Sequence, residues 1–77
     1  MSHRIIPVHW KKLQCIFEKA GFTKEREVGS HMSFVKRGVT RPVVIPKYNS
    51  IDVEIIKSNM RTAKMSREEY FRIYDLC

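Results

Sequence analysis

The sequence contains little cysteine, glycine or proline: two, three and three of these residues among 77. The two cysteines, Cys15 and Cys77, lie far apart and outside any Cys-x-x-Cys or Cys/His spacing. Zinc sites and disulfide frameworks use more numerous or more regularly spaced cysteines, so neither is indicated. We therefore expect a core thiol at Cys15, an unpaired terminal thiol at Cys77, and neither a metal nor another cofactor.

Long apolar runs are also absent. No stretch approaches the roughly 20 apolar residues of a membrane span, and the first seven residues lack the apolar run of a secretory signal. A helix that binds a membrane surface needs a polybasic face and a large apolar face, and no segment shows both. These absences predict a cytoplasmic protein with no membrane partner.

Acidic residues are the scarcer charge, because 8 Asp and Glu stand against 15 Lys and Arg and give a net charge of +7. This one-sided charge favours phosphate-rich partners, nucleic acid first among them. With 77 residues and 43% hydrophobic content, the chain has material for one core, which predicts a single domain over residues 1–77. Folding at this size buries only about 60–65% of the surface, so any active site should lie on the outside.

Hydrophobic periodicity predicts helices before and after a central β region. Over residues 7–20, apolar side chains recur every three or four positions, and Gly21 suits the end of that helix. A second stripe over residues 53–63 predicts another helix, with Asn49 or Ser50 as its N-cap. The outer side of this second helix carries three cations: Lys57, Arg61 and Lys64.

Three segments with β patterns lie between the helices, at residues 22–28, 31–37 and 41–45. The middle segment alternates, so that Met32 and Phe34 point to one face. The side chains that point to the other face are His31, Ser33, Val35 and Arg37. Such alternation is typical of a strand with one buried and one solvated face.

The element order is αβββαα, with a short last helix that begins at a capping box formed by Ser66 and Glu69. This order predicts an α+β fold in which the helices pack on one face of a three-stranded antiparallel sheet. The other face of the sheet is then in contact with water. His31 is predicted to lie on that open face.

His31 is the candidate catalytic residue. It follows the turn residues Gly29 and Ser30 directly, and an imidazole exchanges protons near neutral pH. RNA carries its own nucleophile, the ribose 2′-hydroxyl, so a base on that hydroxyl and a cation at the phosphate suffice to form a 2′,3′-cyclic ester without metal. His31 would act as the base or the acid; from its position alone, a solvated polar side chain at the start of a strand is the favoured alternative.

Basic residues collect on the strands and loops, where they are candidates for binding an RNA backbone without reading its sequence. They are Lys24, Arg26, Lys36, Arg37, Arg41 and Lys47. Gly29 and Ser30 join this predicted RNA-binding set as possible phosphate contacts, and Tyr48 joins it as the aromatic residue best placed to meet a ligand. A solvated surface is the alternative for the charges. His3 and His9 have no partner fixed by spacing, so we treat them as structural or solvent-exposed.

Four segments resemble the HicA-like (YcfA-type) mRNA interferase toxin family, and the resemblance extends from about residue 8 to residue 74. They are EKAGF at 18–22, GSHMSF at 29–34, RPVVIP at 41–46 and AKMSREEY at 63–70. The most specific part is Gly-Ser-His at 29–31, followed by an aromatic residue, Phe34, three positions after the histidine. The helical stretches alone would be a weak signal.

The resemblance implies a fold similar to double-stranded RNA-binding domains, cleavage of mRNA that requires the motif histidine, and neutralisation by a HicB-like antitoxin. It makes His31 catalytic, with Gly29 and Ser30 shaping its turn. Many such toxins have a second histidine after the third strand, where this sequence has Lys47 and Tyr48. One of these two residues would have to replace it if that position contributes.

Three functions remain open on the sequence. The leading hypothesis is a metal-independent endoribonuclease that acts as the toxin of a toxin-antitoxin pair. A non-catalytic RNA-binding module is the alternative, because no second acid or base is identified. A protein-interaction domain is the third, and it would show no affinity for RNA at low salt.

Overall fold

A computed structural model describes residues 4–77 of the chain; His3 lies outside the described residues. The elements in chain order are α1 (Trp10–Lys19), β1 (Thr23–Val28), β2 (His31–Val35), β3 (Val43–Pro46), α2 (Val53–Ala63) and α3 (Arg67–Tyr74). This αβββαα order confirms the predicted α+β class and agrees with a fold like that of double-stranded RNA-binding domains. No helix in residues 4–77 is long and apolar enough to cross a membrane.

The three strands form an antiparallel sheet in the order β1-β2-β3, so β2 is central and both neighbours are edges. Edge positions suit both outer strands, because β1 is exposed at every residue and β3 ends at Pro46, which has no N–H to donate. The central strand alternates as its sequence predicts: Met32 and Phe34 are buried, and His31 is exposed.

The core lies between the sheet and the helices. Periodic apolar residues of all three helices meet the buried side of β2 and β3 there, in one cluster. Its fully buried large side chains are Tyr70, Phe17, Phe34, Leu13, Ile16, Met32, Ile45, Ile51, Ile56 and Val43. All the helical packing is thus on one face of the sheet, which leaves the opposite face as the surface that carries His31.

Two side-chain atoms in this interior have no hydrogen-bond partner among the described residues: Asn59 Nδ2 and Tyr70 Oη. An unsatisfied buried group typically costs about 1–3 kcal/mol. Burial raises the pKa of Tyr70 to about 12, so the phenol remains neutral throughout the physiological range. Both groups lie on helices, at the packed side of the molecule.

The N-terminal caps of α3 and α2 differ in whether the predicted capping residue is the one observed. Ser66 accepts a hydrogen bond from the backbone N–H of Glu69 at 3.1 Å, which confirms the predicted cap of α3. The predicted cap of α2 is wrong, because its N-cap is Asp52 rather than Asn49 or Ser50. Ile51 is buried and its N–H donates to the carbonyl of residue 8 at 2.8 Å, so the chain stays extended up to that point.

The cysteine prediction is also wrong, because Cys15 and Cys77 form a disulfide. α3 packs against α1 and returns the chain end to the side of the first helix. The two Cα atoms are 6.1 Å apart, a separation that a disulfide spans readily. The partners are 62 positions apart in the sequence, so tertiary packing rather than local spacing brings them together.

Candidate active site

The turn between β1 and β2 fixes the position of His31. Val28 pairs with His31, which leaves Gly29 and Ser30 as a two-residue hairpin loop. Gly29 has φ +59°, whereas Ser30 has a negative φ, the pattern of a type II′ turn with glycine at its first central position. The carbonyl of Ser30 accepts a hydrogen bond from the backbone N–H of Lys47 at 2.7 Å. The turn is therefore tied to the loop that follows β3.

The loop after β3 brings Tyr48 to the same place. Its backbone carbonyl accepts a hydrogen bond from the N–H of Trp10 at 3.1 Å, which attaches the loop to the start of α1. The phenol ring then stands edge-on to the His31 imidazole, with 6.3 Å between ring centroids and an interplanar angle of 77°. Tyr48 is 44% exposed. An imidazole and a phenol thus face solvent side by side.

The imidazole of His31 makes no hydrogen bond and no ion pair within the part of the chain that the structure describes. Its ring contact is with Tyr48. Both ring nitrogens are consequently available to a ligand, one to accept a proton and the other to donate one. This freedom is what a general acid or base at a surface requires.

The face of the sheet opposite the helices is called here the open face. Strand pairing places Arg26 beside Ser33 and Val28 beside His31, and Val44 lies on the other side of Ser33. Paired residues of antiparallel strands point to the same side. Val28 and Val44 are 66% and 40% exposed. The open face therefore combines a histidine, a cation and two uncovered apolar side chains.

Two predicted RNA-binding lysines lie on the helix side of the sheet instead. Lys24 pairs with the buried Phe34, and its ammonium is 3.1 Å from a carboxylate oxygen of Glu27. Lys47 forms an ion pair with the other oxygen of that carboxylate. Hydrogen bonds from Lys47 first and Lys24 second lower the pKa of Glu27. The expected ring of cations around His31 is thus smaller than the sequence indicates.

The remaining predicted cations lie at the far end of the sheet. Lys36 donates to the carbonyl of Ala20 at 2.7 Å, where it satisfies a free acceptor at the end of α1. Arg37 and Arg41 are exposed in the connection between β2 and β3. The structure therefore divides the predicted set into three groups. Gly29, Ser30 and Tyr48 lie beside His31, and Arg26 lies on the same face of the sheet. Lys24 and Lys47 are paired with Glu27, whereas Lys36, Arg37 and Arg41 lie at the far end.

The sequence analysis overlooked Glu27, whose carboxylate decides what two of these lysines do. The register shifts between Lys24 and Arg26, which marks a β-bulge in β1. A bulge adds one residue to a strand and changes which later side chains share a face. It places Lys24 and Glu27 on the same side although they are an odd number of positions apart. No pattern in the sequence signals that bulge.

A comparison with protein families identifies the chain. The model described as HicA toxin of bacterial toxin-antitoxin matches residues 10–65, more than half of the sequence. The chain belongs to the HicA toxin family. The match runs from the start of α1 past the end of α2 and includes His31 and Tyr48, and membership implies an antitoxin as the partner of this toxin. Comparisons with curated proteins and with solved structures find no match.

Proposed function

We propose that this toxin is a metal-independent endoribonuclease that cleaves mRNA in the cytoplasm, with His31 as its general acid or base. The observation that carries the proposal is the placement of the imidazole: exposed at the first residue of the central strand and beside the Tyr48 ring. Family membership supports a toxin, and the net charge of +7 supports a phosphate-rich target.

The proposed reaction is an intramolecular transesterification. His31 removes the proton of a ribose 2′-hydroxyl, the 2′-oxygen forms a bond to the adjacent phosphorus, and the bond from phosphorus to the 5′-oxygen breaks. The products are a 2′,3′-cyclic phosphate and a 5′-hydroxyl, and the leaving oxygen takes up one proton. A positioned group that transfers such protons typically accelerates a reaction by about 10²–10⁴-fold, a modest rate that suits a toxin.

Tyr48 is the better candidate for the second proton-transfer group. Its hydroxyl belongs to the ring that contacts His31, whereas the ammonium of Lys47 is engaged with Glu27 and lies 5.3 Å from the centre of the Trp10 ring. A phenol next to the imidazole is placed to protonate the leaving 5′-oxygen. We therefore assign to Tyr48 the position where many related toxins have a histidine.

Arg26 is the cation that serves the phosphate in this scheme. It lies on the open face, paired with Ser33 on the strand next to it, and it forms no ion pair among the described residues. A guanidinium near the reacting phosphate stabilises the charge that develops there. The backbone of the Gly29-Ser30 turn borders the same area and is placed to contact the neighbouring phosphate.

A HicB-like antitoxin is the proposed partner of the open face. Val28 and Val44 offer exposed apolar contacts on either side of the row that holds Ser33 and His31. A protein seated on these side chains would exclude RNA from the imidazole. Expression of the toxin alone should arrest growth, and coexpression with the partner encoded by the neighbouring gene should relieve the arrest.

The decisive experiment compares the native chain with His31→Ala on a defined RNA in EDTA. We expect the variant to lose at least 10²-fold in cleavage rate while it keeps its circular dichroism spectrum and most of its RNA affinity. His9→Ala is the matched control because it also removes an imidazole. That imidazole lies at the N-cap of α1, where it accepts a hydrogen bond from the N–H of Lys11. A His31→Ala protein that still cuts at the native rate would refute the assignment.

A non-catalytic RNA-binding module is the second candidate, and one observation favours it. Catalytic imidazoles are usually oriented by a hydrogen bond from a third group, and among residues 4–77 no side chain holds His31 in this way. The same assay separates the two functions. Retarded but intact RNA, unaffected by His31→Ala, would assign the open face to binding alone.

A further inference from the structure

A second basic site lies away from His31, in a shallow depression between the end of α2 and the chain that leads into β3. We call it the α2 cradle, and it is lined by Thr40, Arg41, Ser58, Arg61, Thr62 and Lys64. Three of these side chains carry a positive charge and the other three carry a hydroxyl. No acidic and no apolar residue contributes to its lining.

The charges of the α2 cradle are not neutralised by the protein. Within residues 4–77, Arg41, Arg61 and Lys64 form no ion pair, in contrast to Lys24 and Lys47, which share the carboxylate of Glu27. Three like charges that share one depression repel each other, and an anion is the ligand that removes this repulsion. Hydroxyls beside guanidinium groups add donors for the oxygens of that anion.

The backbone at Lys64 gives an independent indication. Lys64 is the C-cap of α2 and has φ +55°, the only positive φ at a non-glycine residue in the described chain. Glycine is the usual residue in this left-handed position, because a Cβ there costs free energy. Residues kept in such conformations cluster at functional sites. Lys64 thus places a charged side chain at a position where glycine is the usual residue.

We propose that the α2 cradle binds a backbone phosphate of the RNA whose scissile bond lies at His31. Hydroxyls and guanidinium groups around one depression match the contacts that proteins make to phosphate and sugar. A protein partner would instead need an apolar anchor at the centre of its footprint, and the lining offers none. This inference extends the nuclease function proposed above and names the part of the substrate that is held.

The spacing of the two sites sets the length of RNA that reaches both. Pro46 pairs with His31, and Arg41 precedes Pro46 by five positions, which is at most about 17 Å of chain. A single RNA strand needs several nucleotides to cover such a distance. A dodecamer is therefore long enough to contact both sites at once.

The test measures RNA binding in a His31→Ala background, where the RNA stays intact whether or not the native protein cuts it. Arg61→Gln is compared with Arg72→Gln, because both arginines are exposed in the last turn of a helix and only Arg61 lines the cradle. For a dodecamer we expect about tenfold weaker binding with Arg61→Gln. The slope of log K against log salt should fall by about 0.7 for the lost phosphate, and Arg72→Gln should change neither quantity.

Lys64→Gly provides a readout that a structural role would not give. Glycine relieves the left-handed backbone, so we expect an unchanged or higher melting temperature together with weaker dodecamer binding. Amide chemical shifts of Thr40, Ser58 and Thr62 should move when the dodecamer is added. Equal losses for Arg61→Gln and Arg72→Gln, or shifts confined to the open face, would overturn the proposal. So would binding of a glutamate-rich peptide at the cradle without binding of RNA, which would assign it to an acidic protein.

Discussion

The two sides of the sheet differ in whether their charged side chains have partners within the protein. On the helix side, Lys24 and Lys47 share the carboxylate of Glu27, and Lys36 is bound to the end of α1. On the open face, Arg26 and His31 form no ion pair within the described residues. A net charge of +7 is therefore a poor guide to the size of a binding surface, because side-chain direction decides which cations are free.

This contrast predicts that substitutions on the two sides of the sheet affect different properties of the protein. Substitutions on the helix side should change the free energy of unfolding and leave RNA cleavage largely intact. Substitutions on the open face should do the reverse, since their side chains pack against little and surface changes typically alter stability by less than about 0.5 kcal/mol. Three variants test the division, in order of decreasing expected effect.

Cys77→Ser should have the largest effect, on stability. The disulfide with Cys15 closes a loop of 62 residues, for which the chain-entropy model gives about 4 kcal/mol. Urea unfolding of the variant and of the reduced native protein should show the same loss. RNA cleavage should persist, because the bond lies on the helix side. In the cytoplasm, where we propose that this toxin acts, thiols are kept reduced, so the reduced form is the one to compare with the variant.

A reduced native protein that unfolds like the oxidised one would mean that α3 holds its place without the bond. Cys15→Ser is the matched control, since it removes the same bond from the other end. Loss of cleavage in either variant at a temperature where the fold persists would break the division between the two sides, because it would link the chain end to the open face.

The features of this molecule that the sequence predicts are those set by local signals. Period and capping signals are local, and they predicted α1, the burial of Met32 and Phe34 and the cap at Ser66. The exposed position of His31 follows from the same alternation. Contacts between distant segments were not predicted: the ion pair of Lys47 joins residues 20 positions apart, and the α2 cradle combines two separate segments.

Local signals also fail where a tertiary contact overrides them. Asn49 and Ser50 are good capping residues, yet α2 begins only after Asp52 because buried Ile51 is bound to the segment before α1. The β-bulge in β1 likewise changes the face of Glu27 without any sequence signal. The site could therefore be predicted as a histidine on a strand, but not as the particular group of side chains around it.

Tyr48→Phe should have the next largest effect, on catalysis. Removal of the hydroxyl beside His31 takes away the proposed proton donor, and we expect cleavage to slow by about 10²-fold with the melting temperature unchanged. Lys47→Gln is the comparison, because Lys47 is the other candidate for the same role and is engaged with Glu27. Single-turnover cleavage of one RNA by both variants measures the difference. A larger loss for Lys47→Gln than for Tyr48→Phe would reverse the assignment.

Glu27→Gln should have the smallest of the three effects, and this effect is an increase in RNA affinity rather than a loss. It releases two lysines from their shared carboxylate, so we expect RNA affinity to rise about threefold, the scale of a surface ion pair. Lys47 and Lys24 lower the pKa of Glu27 in the folded protein. The native ion pair therefore stays intact through the pH range in which a glutamate ordinarily titrates, and it is lost only as the pH falls through the lowered pKa.

The affinities of the native protein and Glu27→Gln should accordingly converge at acid pH, where protonation of Glu27 frees the same lysines. Filter binding of a dodecamer at several pH values measures the convergence, and Glu25→Gln, an exposed carboxylate on the same strand, controls for the change in net charge. If both substitutions raise the affinity equally, total charge rather than side-chain pairing governs RNA binding, and the contrast between the two sides of the sheet loses its meaning for function.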